Sequence, residues 1–208
     1  MARVVKKPTE RKEELLDIAL RLFMQKGYAD TSVKDIYTEA NGSFGMFYHH
    51  FKSKEEIFEA SMDKYVNLFI ERLSEALLNE KLSYKERYRT AIDHCIELLD
   101  GRDKLSGFER GSYDVSVFRL LSLKLLSETI EPVQTYLEEG VKKEIIHVGD
   151  TYEAAIFIVY GIYGIIREEG IKVSNNKNAA FLLSKLSGLI ARVLGSDAVI
   201  FEIEEPNF

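Results

Sequence analysis

Apolar residues recur at helical spacing along nearly the whole chain. Leu15, Ile18, Ala19, Leu22 and Phe23 form one stripe, which predicts a first helix capped at Thr9 and stopped by Gly27. Val33, Ile36, Tyr37 and Ala40 form the next, opened by Ser32 with Asp35 three residues on, a helix-start pair. Asn41-Gly42 then marks a turn, because both residues accept positive φ at little cost. Ser43 caps a short third helix from Phe44 to about His49, with Phe47 and Phe51 assigned to the core. Ser53 with Glu56 opens a fourth helix whose apolar positions Ile57, Phe58, Met62, Tyr65, Val66, Phe69, Leu73 and Leu77 run to about Asn79. Its length is roughly 26 residues, or about 39 Å.

Ser83 with Glu86 starts a fifth helix with an inner face of Tyr88, Ala91, Ile92, Cys95, Ile96 and Leu99. Asp100 to Ser112 is polar and holds Gly101, Gly107 and Gly111, which predicts a loop. A sixth helix is expected from Tyr113 to Leu126, and a seventh with Pro132 in its first turn, ending near Ile146. Asp150 with Glu153 opens an eighth, apolar nearly all round to Ile166. The ninth starts at Asn176 and stops at Gly195. The tail Ala198 to Ile203 has strand-like content and no assigned place. The expectation is an all-α chain of nine helices.

Two short helices joined by so tight a turn form a helix-turn-helix, whose second helix can lie in a DNA major groove. The residues leaving that second helix make the signal specific. Gly45-Met46-Phe47-Tyr48-His49-His50-Phe51-Lys52-Ser53-Lys54-Glu55-Glu56 resembles the exit from the recognition helix in the TetR-type (TetR/AcrR) transcriptional regulators. Leu15 to Phe23, Lys26-Gly27-Tyr28 and Thr31 to Ile36 resemble the first helix and second-helix start of that family, so the likeness covers about residues 11 to 57. It implies a three-helix DNA-binding head, residues 1–53, and a six-helix effector-binding and dimerisation body, residues 54–208. The fourth helix would then be the mechanical link. The last two helices would pair with a second copy as a four-helix bundle, through Gly161, Gly164, Leu182, Leu183, Leu186, Ile190 and Val193.

The resemblance also implies which residues meet DNA. Ser43, Phe44, Gly45 and Met46 match positions that approach base edges, while Tyr48, His49, Lys52 and Lys54 match phosphate contacts, with Ser32 and Lys34 holding the opposite strand. Phe44 stands where a polar residue is frequent in the family. It cannot bond a base edge but can pack on a thymine methyl, or it can turn inward as core.

Composition sharpens this picture in two ways. Hydrophobic residues are 46% and charged residues 30%, enough for a packed core and too apolar for disorder. The net charge of −6 by itself argues against nucleic-acid binding, yet it is unevenly placed. Residues 1–54 hold ten Lys/Arg against seven Asp/Glu, a net of +3, and the rest hold 18 against 27, a net of −9. One cysteine rules out an internal disulfide and a multi-cysteine zinc site. A reducing cytoplasm is expected, since MARVVKKPTERKEE has no apolar signal segment. The longest apolar run, the thirteen residues Ala154 to Ile166, is too short to span a bilayer.

No phosphate-cradling glycine loop, nucleophile elbow or HExxH pattern occurs, so neither catalysis, a cofactor nor a metal is expected. His49 and His50 are adjacent and diverge by about 100° on a helix, which prevents joint chelation. An effector pocket in the body would draw on His94, Cys95, Phe108, Tyr113, Phe118, Arg119, Tyr136, Phe157, Tyr160 and Tyr163, residues that serve an ordinary core equally well. The leading reading is a homodimeric regulator of a palindromic DNA operator, a repressor released by a small-molecule effector. The alternative is a helical protein-interaction module that has lost specific DNA reading.

Overall fold

The structure is a computed structural model that describes residues 7–105, 115–169, 176–196 and 201. For 98–105, 115–120, 166–169 and 176–180 the backbone alone is described. The described residues form eight α-helices and no strand: α1 (Pro8–Lys26), α2 (Val33–Glu39), α3 (Phe44–His50), α4 (Lys54–Leu77), α5 (Tyr84–Leu105), α6 (Val115–Lys142), α7 (Thr151–Glu169) and α8 (Asn176–Val193).

Local signals set the ends of the early helices. α1 begins at Pro8 rather than after a Thr9 cap. Proline fits the first helical position, where its missing N–H would be unpaired anyway. Gly27 ends it at φ 83°, its N–H donating to Phe23 O at 2.9 Å. The Thr31 hydroxyl, fully buried, donates to Gly27 O at 2.8 Å and so satisfies a carbonyl beside the α1 terminus. At α2, Ser32 Oγ accepts from Asp35 N at 3.1 Å while Asp35 Oδ2 accepts from Ser32 N at 2.8 Å. At α7, Asp150 Oδ1 accepts from Glu153 N at 2.9 Å.

Two expectations fail in the middle of the chain. The polar stretch after Asp100 opens as helix, because α5 continues to Leu105. A single glycine, Gly101, costs about 1 kcal/mol and does not stop a propagating helix. The expected sixth and seventh helices are one, with Pro132 inside α6. An interior proline costs about 3 kcal/mol. Here Leu126, Thr129, Ile130, Val133, Tyr136, Leu137 and Gly140 keep helical spacing straight through it, and Pro132 is itself buried. Burial on both sides of the proline outweighs the lost hydrogen bond. The body therefore has five helices among the described residues, not six. Phe108 and Tyr113 lie outside the described residues, and the Phe118 and Arg119 side chains do as well.

The chain divides into two compact units, Met1–Val66 with Lys104–Phe118, and Asn67–Asp103 with Arg119–Phe208. In the first, Leu15, Ala19, Phe23, Ile36, Phe47, Phe51, Ile57 and Phe58 make a closed core, so the first half of α4 completes what three short helices cannot enclose alone. Phe23 meets Phe58 edge-on at 5.1 Å, and Lys64 on α4 reaches Glu13 at 2.8 Å and Asp17 at 2.6 Å on α1. In the second, Leu73, Leu77, Tyr84, Tyr88, Tyr136, Leu137, Ile146, Leu183, Leu186 and Leu194 form one cluster. Of the strand-like tail only Phe201 is described. Its backbone is helical and its ring is buried edge-on to Tyr88 at 4.8 Å.

Candidate nucleic-acid interface

The short connection between α2 and α3 is built for tightness. Ala40 N donates to Ile36 O at 3.1 Å, Asn41 takes φ 50°, and Gly42 N donates to Tyr37 O at 2.7 Å. A Cβ on Gly42 would run into the flexible end of Met46 at Cε and stand 3.2 Å from Tyr37 O, so a larger residue at this corner requires Met46 to move. Arg11 braces it from α1, donating from Nη1 to Ala40 O at 3.0 Å and to Glu14 Oε2 at 2.6 Å. Ser43 Oγ accepts from Met46 N at 3.4 Å and starts α3.

α3 anchors itself through Phe47 and Phe51, both buried, and presents Ser43, Phe44, Gly45, Tyr48 and His49 to solvent, with Met46 half-buried. Phe44 does not turn inward: it is 62% exposed. As the first residue of its helix, its Cα–Cβ bond tilts toward the N-terminus and carries the ring past the end of the core. Its ring lies 4.3 Å from that of Tyr48, one turn on. Ser32 and Lys34, on the neighbouring α2 and its cap, are exposed, as is Lys52.

Lys54 is placed differently from the other cations. Its ammonium sits 4.1 Å over the Tyr28 ring and donates to Ala29 O at 3.4 Å. Burial holds its pKa below the ordinary lysine value. Tyr28 Oη donates to Glu55 Oε1 at 2.7 Å, the main reason the Glu55 carboxyl is held low. Lys54 thus helps fix the loop after α1. Sequence reasoning missed Lys12, which the fold brings from α1 to 5.6 Å over the Phe51 ring at the exit of α3. Burial, then His49, Lys12 and Arg11, push His50 below the ordinary histidine value, so His50 joins this face uncharged at neutral pH.

Among the described residues, those expected in an effector pocket stand in different surroundings. Tyr136 is buried in the second unit, its hydroxyl donating to Tyr84 O at 2.8 Å. Phe157 and Tyr160 stand exposed on α7, and Tyr163 is half-buried there. Cys95 keeps part of its surface open, but its thiol is surrounded by protein and burial pushes its pKa up to about 12. Beside it, His94 Nδ1 is enclosed without a hydrogen-bond partner, with Glu97 Oε2 at 3.7 Å beyond bonding reach. The residues expected at a subunit interface also separate. Leu183, Leu186 and Ile190 are buried in the core of their own unit, because the strongest apolar stripe of α8 faces inward. Val193 is exposed, Leu182 is half-buried, and a Cβ on Gly161 or Gly164 would meet open space.

No group of three or more potential metal ligands occurs among the described residues, and no described helix is long and apolar enough to cross a membrane.

Residues 15–61 match the family model described as bacterial regulatory proteins, tetR family. The chain is 35% identical over 152 residues to the HTH-type transcriptional repressor KstR2 of Mycobacterium tuberculosis, covering 69% of this chain and 66% of that protein. It is 28% identical over 155 residues to the uncharacterized HTH-type transcriptional regulator YerO of Bacillus subtilis, covering 73% of this chain and 47% of the relative. The chain therefore matches only about half the length of that relative. Among solved structures, a transcriptional regulator from Cytophaga hutchinsonii superposes with a TM-score of 0.74 at 19% identity, covering 88% of this chain and 96% of that one. A TetR-family regulator from Pectobacterium atrosepticum gives 0.64 at 21% identity, covering 92% and 98%. These two likenesses are of fold, and they agree with the helix order, the tight α2–α3 turn and the sequence match over the head: the chain is a member of the TetR family of bacterial regulatory proteins.

Proposed function

We propose that this protein is a sequence-specific DNA-binding transcriptional regulator, a repressor that leaves its operator when a small molecule binds its body. The observation that carries the reading is the α3 surface, where Ser43, Phe44, Gly45, Tyr48 and His49 are all presented to solvent at and after a tight hydrogen-bonded turn. Exposed Lys34 and Lys52 flank it and supply phosphate-neutralising charge. The repressor assignment follows the name of the KstR2 relative. A module that had lost DNA reading would have no use for this exposed constellation, and we do not favour it.

The head is residues 1–53 and the body residues 54–208. The regulator is a homodimer, since a palindrome is read by two recognition helices about one DNA turn, roughly 34–36 Å, apart. The pairing surface is the outward face of α7 and α8. On α7, Phe157 at 60% exposed and Tyr160 lie at helical spacing with the open Gly161 and Gly164. On α8, Phe181, Leu189 and Val193 are exposed, Leu189 and Val193 along the edge of the core stripe. Side chains of this size left in water favour a partner. The effector belongs in the body near His94, whose enclosed Nδ1 leaves one hydrogen bond for a ligand to make.

A mobility-shift titration with the DNA just upstream of the gene tests the reading. Retarded DNA that resists excess random competitor is expected. Equal competition by random DNA would return the protein to the alternative.

A further inference from the structure

α3 is an unusual reading helix in chemical terms. From Phe44 to His50 it holds no Arg, Lys, Asn, Gln, Asp or Glu, so it lacks every side chain that bonds a base edge in a bidentate way. Ser43 Oγ is engaged in capping, accepting from Met46 N. His50 is half-buried. Apart from the single hydrogen bonds open to exposed His49 and the Tyr48 hydroxyl, what the helix offers is carbon. The Phe44 ring is 62% exposed and lies against Tyr48 at 4.3 Å with the two rings tilted by 41°; Tyr48 is itself 43% exposed and meets buried Phe47 edge-on at 5.3 Å. The chain Phe47–Tyr48–Phe44 holds the outermost ring in place from the core outward. Beside it, a Cβ on Gly45 would meet nothing within 4 Å, so no side chain fences the backbone at this point from a close surface.

A large apolar ring presented at the tip of a helix-turn-helix gains most from an apolar feature to meet. The major groove has one, the 5-methyl group of thymine. Resting on the DNA-binding reading above, we propose that Phe44, positioned by Tyr48, is a specificity-determining residue that selects operators by the 5-methyl group of thymine in each half-site. The lysines around it hold the helix in register on phosphates and are blind to sequence.

The probe is a duplex selected from a random-sequence pool by the full-length protein, remade with deoxyuridine at each thymine in turn. Uracil keeps the pairing and the hydrogen-bonding edge and removes only the methyl. One thymine per half-site should emerge at which the exchange weakens binding about fourfold singly and about fifteenfold when made in both half-sites, the worth of one and two buried methyls. The Phe44→Ala variant, whose exposed site leaves the core intact, should bind the thymine and uracil duplexes equally. Tyr48→Phe keeps the ring contact and should retain the preference, while Tyr48→Ala should weaken it. Unchanged binding of the native protein to every uracil duplex would overturn the proposal while leaving DNA binding standing. A thymine preference that survives in Phe44→Ala would move the reading to another residue. Failure to enrich any duplex would remove both the DNA-binding reading and this one.

Discussion

Arg87 on α5 donates from Nη1 to Glu139 Oε2 on α6 at 2.6 Å, while its Nε donates to Leu82 O at 3.1 Å. The guanidinium is 4% exposed and the carboxylate 29%, so the cation is the partner that needs the pair. Arg87→Ala removes the donor to a turn carbonyl and the packing of the stem. A loss of about 2 kcal/mol is expected, below the roughly 3–5 kcal/mol of a fully buried broken pair because Glu139 can rehydrate. Thermal unfolding of the variant measures it.

The same pair carries a pH dependence. Hydrogen bonds from Lys143 and Arg87 hold the Glu139 carboxyl below its ordinary value of 4.5, against burial, which acts in the opposite direction. A depressed carboxyl stabilises the fold above its unfolded pKa, and the contribution is lost as pH falls through the folded value. The native protein should therefore lose more stability than Glu139→Gln as pH drops below about 4.5. Parallel acid limbs in urea titrations would show that the carboxylate contributes nothing.

The rings of Tyr84 and Tyr136 stack at 4.1 Å, and each hydroxyl reaches the other residue's carbonyl, at 3.3 and 2.8 Å. Gly140 lies under this clamp, where a Cβ would clash with Tyr84 Oη and stand 2.7 Å from Tyr84 Cζ. Because both rings are buried, Gly140→Ala should cost about 1–3 kcal/mol. Tyr84→Phe in the same chain should restore part of it, a non-additivity that a double-mutant cycle would read.

Leu186 and Leu189 stand three residues apart on α8 and should answer differently to a charge. Leu186 is 6% exposed and Leu189 is 42%. Leu189→Glu should give a folded monomer, with native circular dichroism and half the mass by light scattering. Leu186→Glu buries an unpaired charge and should unfold the second unit. A dimer that survives Leu189→Glu and Phe157→Glu together would place the subunit contact elsewhere.

On DNA, Lys52→Ala should weaken operator and random duplexes alike and lower the slope of log affinity against log salt by about one. Lys54→Ala should also lower the melting temperature, because it removes the cation from the Tyr28 ring. In the body, His94→Leu removes an enclosed nitrogen that has no partner. It should raise stability by about 1 kcal/mol and blunt the effector response, with operator affinity unchanged in the ligand-free state. An effector that lowers DNA affinity equally in both proteins would move its site away from His94.

By itself the sequence determined the helical class, the head and its turn. Ser32 with Asp35, Asn41-Gly42 and Ser43 act within three or four residues, and the structure pairs Ser32 with Asp35 and seats Ser43 as the cap of α3. Only tertiary structure decided the rest. Pro132 reads as a helix start when neighbours alone are weighed, but apolar positions on both sides of it pack into one core and carry α6 through. Leu183 and Leu186 have the same chemistry as Leu189, and whether a leucine on a two-faced helix meets its own core or a partner depends on what packs against each face. Phe44 could have been core, and Lys54 could have been a free cation. Phe47 and Phe51 had already filled the space behind α3, and the loop after α1 brought Tyr28 under the Lys54 ammonium, contacts between residues far apart in the chain that no local pattern encodes.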